Sequence, residues 1–136
     1  MFDESSTEWL VENNRRLNEE SVTLLLIKTP RLSVTLTAHI DPSGRLVLSG
    51  HDLGPTVAEF WPDDEYEYWL KVEATHLAAI NSGLWEELER DGVPPTDTSV
   101  LELLKESFEA SLFDNDSEFR AWLNDRQIPS EFSSWT

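Results

Sequence analysis

The stretch RLSVTLTAHIDPSGRLVLSG, Arg31 to Gly50, carries the strongest structural signal in the chain. Leu32, Val34, Leu36, Ala38 and Ile40 alternate with Ser33, Thr35, Thr37 and His39. A period of two is what a strand with one buried face requires. DPSGR follows, with Pro42 preset for the second position of a turn and Gly44 free to take positive φ. RLVLSG then reads as the returning strand of an antiparallel hairpin.

The same logic extends in both directions. VTLLLIKT, from Val22, is a short β-rich run, and Thr7 to Glu20 has a helical look with a thin apolar face of Trp9, Leu10 and Leu17. Beyond the hairpin lies EFWPDDEYEYWLKV, Glu59 to Val72, where acids crowd around aromatic side chains. In its second half Tyr66, Tyr68, Leu70 and Val72 share one face, and Glu67, Trp69, Lys71 and Glu73 the other, which predicts a fourth strand with the tyrosines in the core.

From Thr75 the period becomes helical. Leu77, Ile80, Leu84 and Leu88 fall at helical spacing, with Ser82 and Gly83 as a point where the helix could split in two. RDGVPPTD breaks the pattern, and Val100, Leu103, Leu104, Phe108 and Leu112 resume it with Glu102, Glu106 and Glu109 opposite. A third helix is expected from Asp116 or Ser117, carrying Phe119, Trp122 and Leu123 inward and stopped by Pro129, with Phe132 and Trp135 as anchors in the tail. Strands first and helices afterwards give an α+β class: an antiparallel sheet of about four strands, followed by a C-terminal group of about three helices packed on one face. The expectation is one domain over residues 1–136, with no repeat and no linker.

Charge bounds the function. The chain carries a formal net charge of −17 and no cysteine, so it has no disulfide, thiolate metal site or cysteine nucleophile. Residues 59–136 hold nineteen acids and five bases, whereas residues 21–58 hold two acids and three bases. Such a field opposes nucleic acid and anionic membranes as direct partners and favours a basic protein or a cation. Solubility alone, or adaptation to salt, also accounts for it. The opening MFDESSTEWL lacks the basic and apolar segments of a secretory signal, and no apolar run approaches the roughly eighteen residues of a membrane span. A cytoplasmic location is the expectation.

The motifs of chemistry are sparse. His39, His51 and His76 lack the paired spacing of a zinc site, although His39, His51 and an acid could assemble one across the hairpin. Asp63, Asp64 and Glu65 are adjacent in an expected loop, unlike two acids held apart in a glycosidase cleft. Neither DPSG nor PDDEYE has the ligand order of an EF-hand loop. Ser49, Gly50, His51 and Asp52 contain the letters of a triad, but neighbours on an extended chain point apart. SGHDLG has neither the glycine spacing nor the lysine of a phosphate-binding loop.

LVLSGHDLGPTVAEFW followed closely by DDEYEYWLKV resembles a signature in small uncharacterised bacterial proteins, in which a serine-glycine loop with an aspartate and a second glycine precedes an acidic-aromatic strand. The resemblance covers about a fifth of the chain by rough count of those residues. It implies a bacterial, cytoplasmic α+β domain and carries over no catalytic residue.

Two functional classes follow. The first is a binding module that docks on a basic protein, in the manner of an immunity protein that neutralises a toxin, with aromatic anchors and carboxylates for steering. Its candidate contact residues are Trp61, Asp63, Asp64, Glu65, Glu67 and Trp69, with Tyr66 beside them. The second is a small hydrolase or metal-dependent enzyme centred on His51 and Asp52, joined by His39 or by acids from 63 to 65. The balance of the residues favours the non-enzyme. No catalytic, cofactor-binding or metal-ligating residue is assigned, and no cofactor is called for.

Overall fold

A computed structural model describes residues 21–61, 63–92, 94–95 and 98–135. The helical expectation over Thr7 to Glu20 lies outside them. The hairpin read from Arg31 to Gly50 is present: β2 (Ser33–Ile40) pairs antiparallel with β3 (Leu46–Leu53), with Leu36 opposite Gly50 and Ala38 opposite Leu48. Asp41 closes the turn. Its Oδ1 accepts from the backbone N–H groups of Ser43 and Arg45 and from the Ser43 hydroxyl, and its Oδ2 accepts from Arg45 Nε at 2.9 Å. Gly44 takes φ of 86°, as the turn requires.

Asp41 makes a pH prediction. Desolvation opposes its charge, but the hydrogen bonds from Ser43 and Arg45 outweigh it and hold the carboxyl at about 2, below the ordinary 3.8. A depressed carboxyl stabilises the fold above the unfolded value, and that contribution is lost as pH falls through the folded one. Relative to Asp41→Asn, the native protein should be more stable by about 1 kcal/mol near neutrality, after allowance for solvent screening. Denaturant titrations at successive pH values should show that advantage disappear between 3.8 and about 2. An advantage that is flat through this window would mean the carboxylate is not held by the turn.

Sheet growth follows from pairing on either side of the hairpin. β1 (Val22–Lys28) joins β2 with a bulge between Thr23 and Leu25, and β4 (Glu65–Val72) joins β3 with Tyr68 opposite Gly50. Among the described residues the sheet has five strands, one more than the expected four or so. The tail expected only to anchor through Phe132 and Trp135 is β5 (Glu131–Trp135), paired antiparallel with β4, so that the order is β1-β2-β3-β4-β5. The free edge of β4 offers unpaired N–H and C=O groups, and the tail satisfies them despite its polar Ser133 and Ser134.

The segment between β3 and β4 contains one short helix, α1 (Pro55–Ala58), started by a proline. Among the described residues three helices separate β4 from β5. A 3₁₀ turn (Ala74–His76) leads into α2 (Leu77–Glu87), which runs unbroken through Ser82 and Gly83. Gly83 is there for α4, because a Cβ would lie 2.7 Å from the ring of Trp122. α3 (Val100–Glu109) is capped by the Ser99 side chain, which accepts from the Glu102 N–H, and it buries Val100, Leu101, Leu103, Leu104 and Phe108. α4 (Asp116–Asp125) is capped by Asn115, which accepts from the Glu118 N–H at 3.0 Å, while Glu118 accepts from the Asp114 N–H at 2.7 Å.

The core lies between the helices and one face of the sheet. Leu36, Ala38, Leu46, Leu48, Leu70 and Val72 meet Ile80, Leu84, Leu103, Leu104, Phe119 and Leu123 in a single cluster. Alternation along β3 and β4 puts Gly50, Asp52, Tyr66 and Tyr68 on the helix side as well. The opposite face presents Thr35, Thr37, Ser49, His51, Glu65, Glu67 and Trp69, all half-buried. No described helix is long and apolar enough to cross a membrane.

Candidate functional site

The acidic-aromatic stretch is divided by the sheet. Glu65, Glu67 and Trp69 point to the face away from the helices, Trp61 and Tyr66 to the helix side, and Asp63 and Asp64 lie exposed in the segment that joins α1 to β4. The six candidate contact residues therefore do not form one patch. Trp61 stacks on Tyr66, with ring centres 4.5 Å apart and planes within 8°, and Tyr66 lies 5.2 Å from Tyr68. Tyr68 continues the row to Phe132 of β5 at 6.4 Å. Trp69, on the face opposite the tyrosines as its spacing predicts, is half-buried, and its cross-strand neighbours are Ser49 and Ser133.

His51 and Asp52 likewise part company. Consecutive strand residues face opposite ways, so His51 joins the outer face and Asp52 the inner one. On the outer face His51 Nε2 lies 2.8 Å from Glu65 Oε1 and 3.7 Å from Glu67 Oε1. These three side chains each bring one ligand atom within 4.8 Å of the others, the one such trio among the described residues. They could hold a cation, but His51 and Glu65 already satisfy each other, and zinc takes three or four converging ligands with an imidazole free to coordinate. His39 does not complete the set. It pairs with Val47 whereas His51 pairs with Thr35, four residues along β2 and so about 13 Å away. His76 sits in the 3₁₀ turn after β4.

On the inner face Asp52 meets partners that no local pattern announces. Its Oδ1 accepts from the Tyr68 hydroxyl at 3.2 Å, and it lines a cavity of about 340 Å³ with Trp61, Tyr66 and Phe132 on one side and Asp116, Ser117 and Arg120 of α4 on the other. Asp116 and Arg120 stand one helical turn apart on the same side of α4. The Arg120 guanidinium lies over the Phe132 ring, 4.0 Å from its centre.

The electrostatics of this cavity are unlike those of the rim. Burial pushes the Asp52 carboxyl above its ordinary value, and the nearby charge of Asp116 adds to the effect, against the Tyr68 hydrogen bond and His51. Burial also raises Asp116, against the charge of Arg120 and local backbone hydrogen bonds. The Tyr68 hydroxyl is pushed up strongly, by burial first and then by both carboxylates, so it stays a proton donor. In the sequence Asp116 reads only as an alternative start of the third helix, and Arg120 is not singled out; their i, i+4 spacing is legible there, but its target is not.

Comparison with protein-family models, with curated proteins and with solved structures finds no match to this chain.

Proposed function

We propose that the protein is an acidic docking module for a basic partner protein. The observation that carries this reading is the exposed pair Phe60 and Trp61, 76% and 42% accessible, immediately beside the exposed carboxylates Asp63 and Asp64. Two large aromatics in solvent cost free energy in the isolated chain, and a partner that covers them recovers it. Trp61 is already fixed by its stack on Tyr66, so little side-chain entropy is lost on binding. The acids around it steer a positive surface and reject a negative one.

A basic toxin held by an immunity-type inhibitor is one partner of this kind. The His51, Glu65 and Glu67 cluster belongs to the other face of the sheet, so it makes no contact in docking through Trp61 and adds only the longer-range charge of its carboxylates. Glu65 and Glu67 extend the acidic field toward Trp135, which is opposite Glu67 and 55% accessible.

Capture from lysate at low and high salt, with partners identified by mass spectrometry, tests the reading. The expected result is one dominant basic protein that is released as salt rises. Alanine at Asp63, Asp64 and Glu65 together should slow its association about tenfold with a smaller change in dissociation. Capture that is indifferent to both salt and these three substitutions would remove the docking reading.

A further inference from the structure

We propose that the cavity between the ends of β3, β4 and β5 and the first turns of α4 receives an arginine side chain of the basic partner, its guanidinium held by Asp52 and Asp116 against the aromatic row. This deepens the docking reading and rests on it.

Shape is the first support. A cavity of about 340 Å³ accommodates a side chain, and its wall is a continuous row of four rings from Trp61 through Tyr66 and Tyr68 to Phe132. Trp61, the anchor beside the acidic rim, is also the first ring of that row, so the cavity opens where the partner would dock.

Charge is the second. Asp52 and Asp116 contribute two carboxylates and Arg120 one cation, which leaves a single negative charge in excess when all three are ionised. A cationic group complements that balance and an anion opposes it. Burial raises both carboxyls, so the empty cavity bears an electrostatic cost whenever both are charged. A bound cation offsets that cost.

The geometry favours a guanidinium over an ammonium. A guanidinium stacks flat on aromatic rings while its edge donates two parallel hydrogen bonds to a carboxylate, and an ammonium does neither as well. This row already takes such a group, since Arg120 lies over Phe132. The incoming side chain would use the unoccupied part of the same wall.

The test is a ¹⁵N NMR titration of the full chain with N-acetyl-arginine amide, run beside N-acetyl-lysine amide and the uncharged N-acetyl-citrulline amide. Saturable shifts are expected at Asp52, Tyr68, Asp116 and Arg120 with the arginine probe. Asp52→Asn and Asp116→Asn should each weaken it at least about tenfold, the scale of a lost charge-assisted hydrogen bond, while Glu86→Gln on the exposed side of α2 leaves it unchanged. The spectra themselves report whether each variant is folded, and two independent variants keep the test decisive if one is not. Shifts that are absent, or that scatter over the acidic surface and persist in both asparagine variants, overturn the assignment. An equal response to the lysine or citrulline probe overturns it as well. If the arginine probe fails while capture through Asp63, Asp64 and Glu65 survives, the cavity assignment alone falls; if capture fails too, the docking reading falls with it.

Discussion

Replacement of Phe119 by alanine is expected to destabilise the protein by about 3–5 kcal/mol, the largest effect of any substitution considered for this chain. Phe119 is fully buried on α4 and is wedged among aromatic neighbours, with Phe113 at 5.3 Å edge-on and Trp122 at 5.8 Å in a near-parallel stack. Alanine removes both the transfer free energy of the ring and its contacts with those neighbours. The surrounding structure is poorly placed to collapse into the void, because Leu123 on the same helix and Leu84 and Leu104 in the same cluster are already fully packed. A loss of that size is a large part of the roughly 5–15 kcal/mol that holds a domain folded. Equilibrium unfolding in urea measures it directly, and a loss below about 1 kcal/mol would mean that α4 is not anchored by this ring. The consequence reaches function, since α4 carries Asp116 and Arg120 into the cavity.

Gly50→Ala should cost about 2–3 kcal/mol for the opposite reason, overpacking. Gly50 is the cross-strand partner of Tyr68, and the Tyr68 ring lies directly over it. A Cβ on Gly50 would fall within the ring, so Tyr68 must move or the two strands must part. Neither is easy: Tyr68 is 5% accessible and donates its hydroxyl proton to Asp52. A double-mutant cycle separates this account from a general intolerance of side chains in β3. In a Tyr68→Ala background the cost of Gly50→Ala should shrink to less than about 1 kcal/mol, and a cost that stays the same would show that the ring is not the obstacle. Because Tyr68 also positions Asp52, Gly50→Ala should disturb the arginine-probe shifts at Asp52 as well as stability.

Both substitutions involve residues whose importance is unequally visible in the sequence. Phe119 could be placed inside from its spacing with Trp122 and Leu123 in an amphipathic helix. Gly50 could be read only as the last residue of the returning strand RLVLSG, with no reason for a glycine there, whereas it sits within β3 because an aromatic ring occupies the space its side chain would need. Identifying that reason requires the register that sets Gly50 opposite Tyr68 and not one residue away.

What the sequence by itself determined is what short-range periodicity controls. Alternation from Leu32 to Ile40 and from Tyr66 to Val72 determined two strands and their buried faces, DPSGR determined the hairpin, and the capped amphipathic runs around Leu103 and Phe119 determined two helices. Each of these is an interaction among residues within a few positions of one another. Tertiary structure alone decided the rest. It made a fifth strand of a tail with little β character, because the edge of β4 supplied the pairing that the tail's own residues do not demand. It separated Tyr66, with the Trp61 ring stacked on it, from Glu65, Glu67 and Trp69, and His51 from Asp52, because adjacent strand residues face opposite sides of the sheet. It brought Asp52 to Asp116 and Arg120, sixty-four and sixty-eight positions away in the chain, because α4 packs over the end of β3, β4 and β5. Local pattern fixes which way a side chain points; only the packing of distant elements fixes what it meets there.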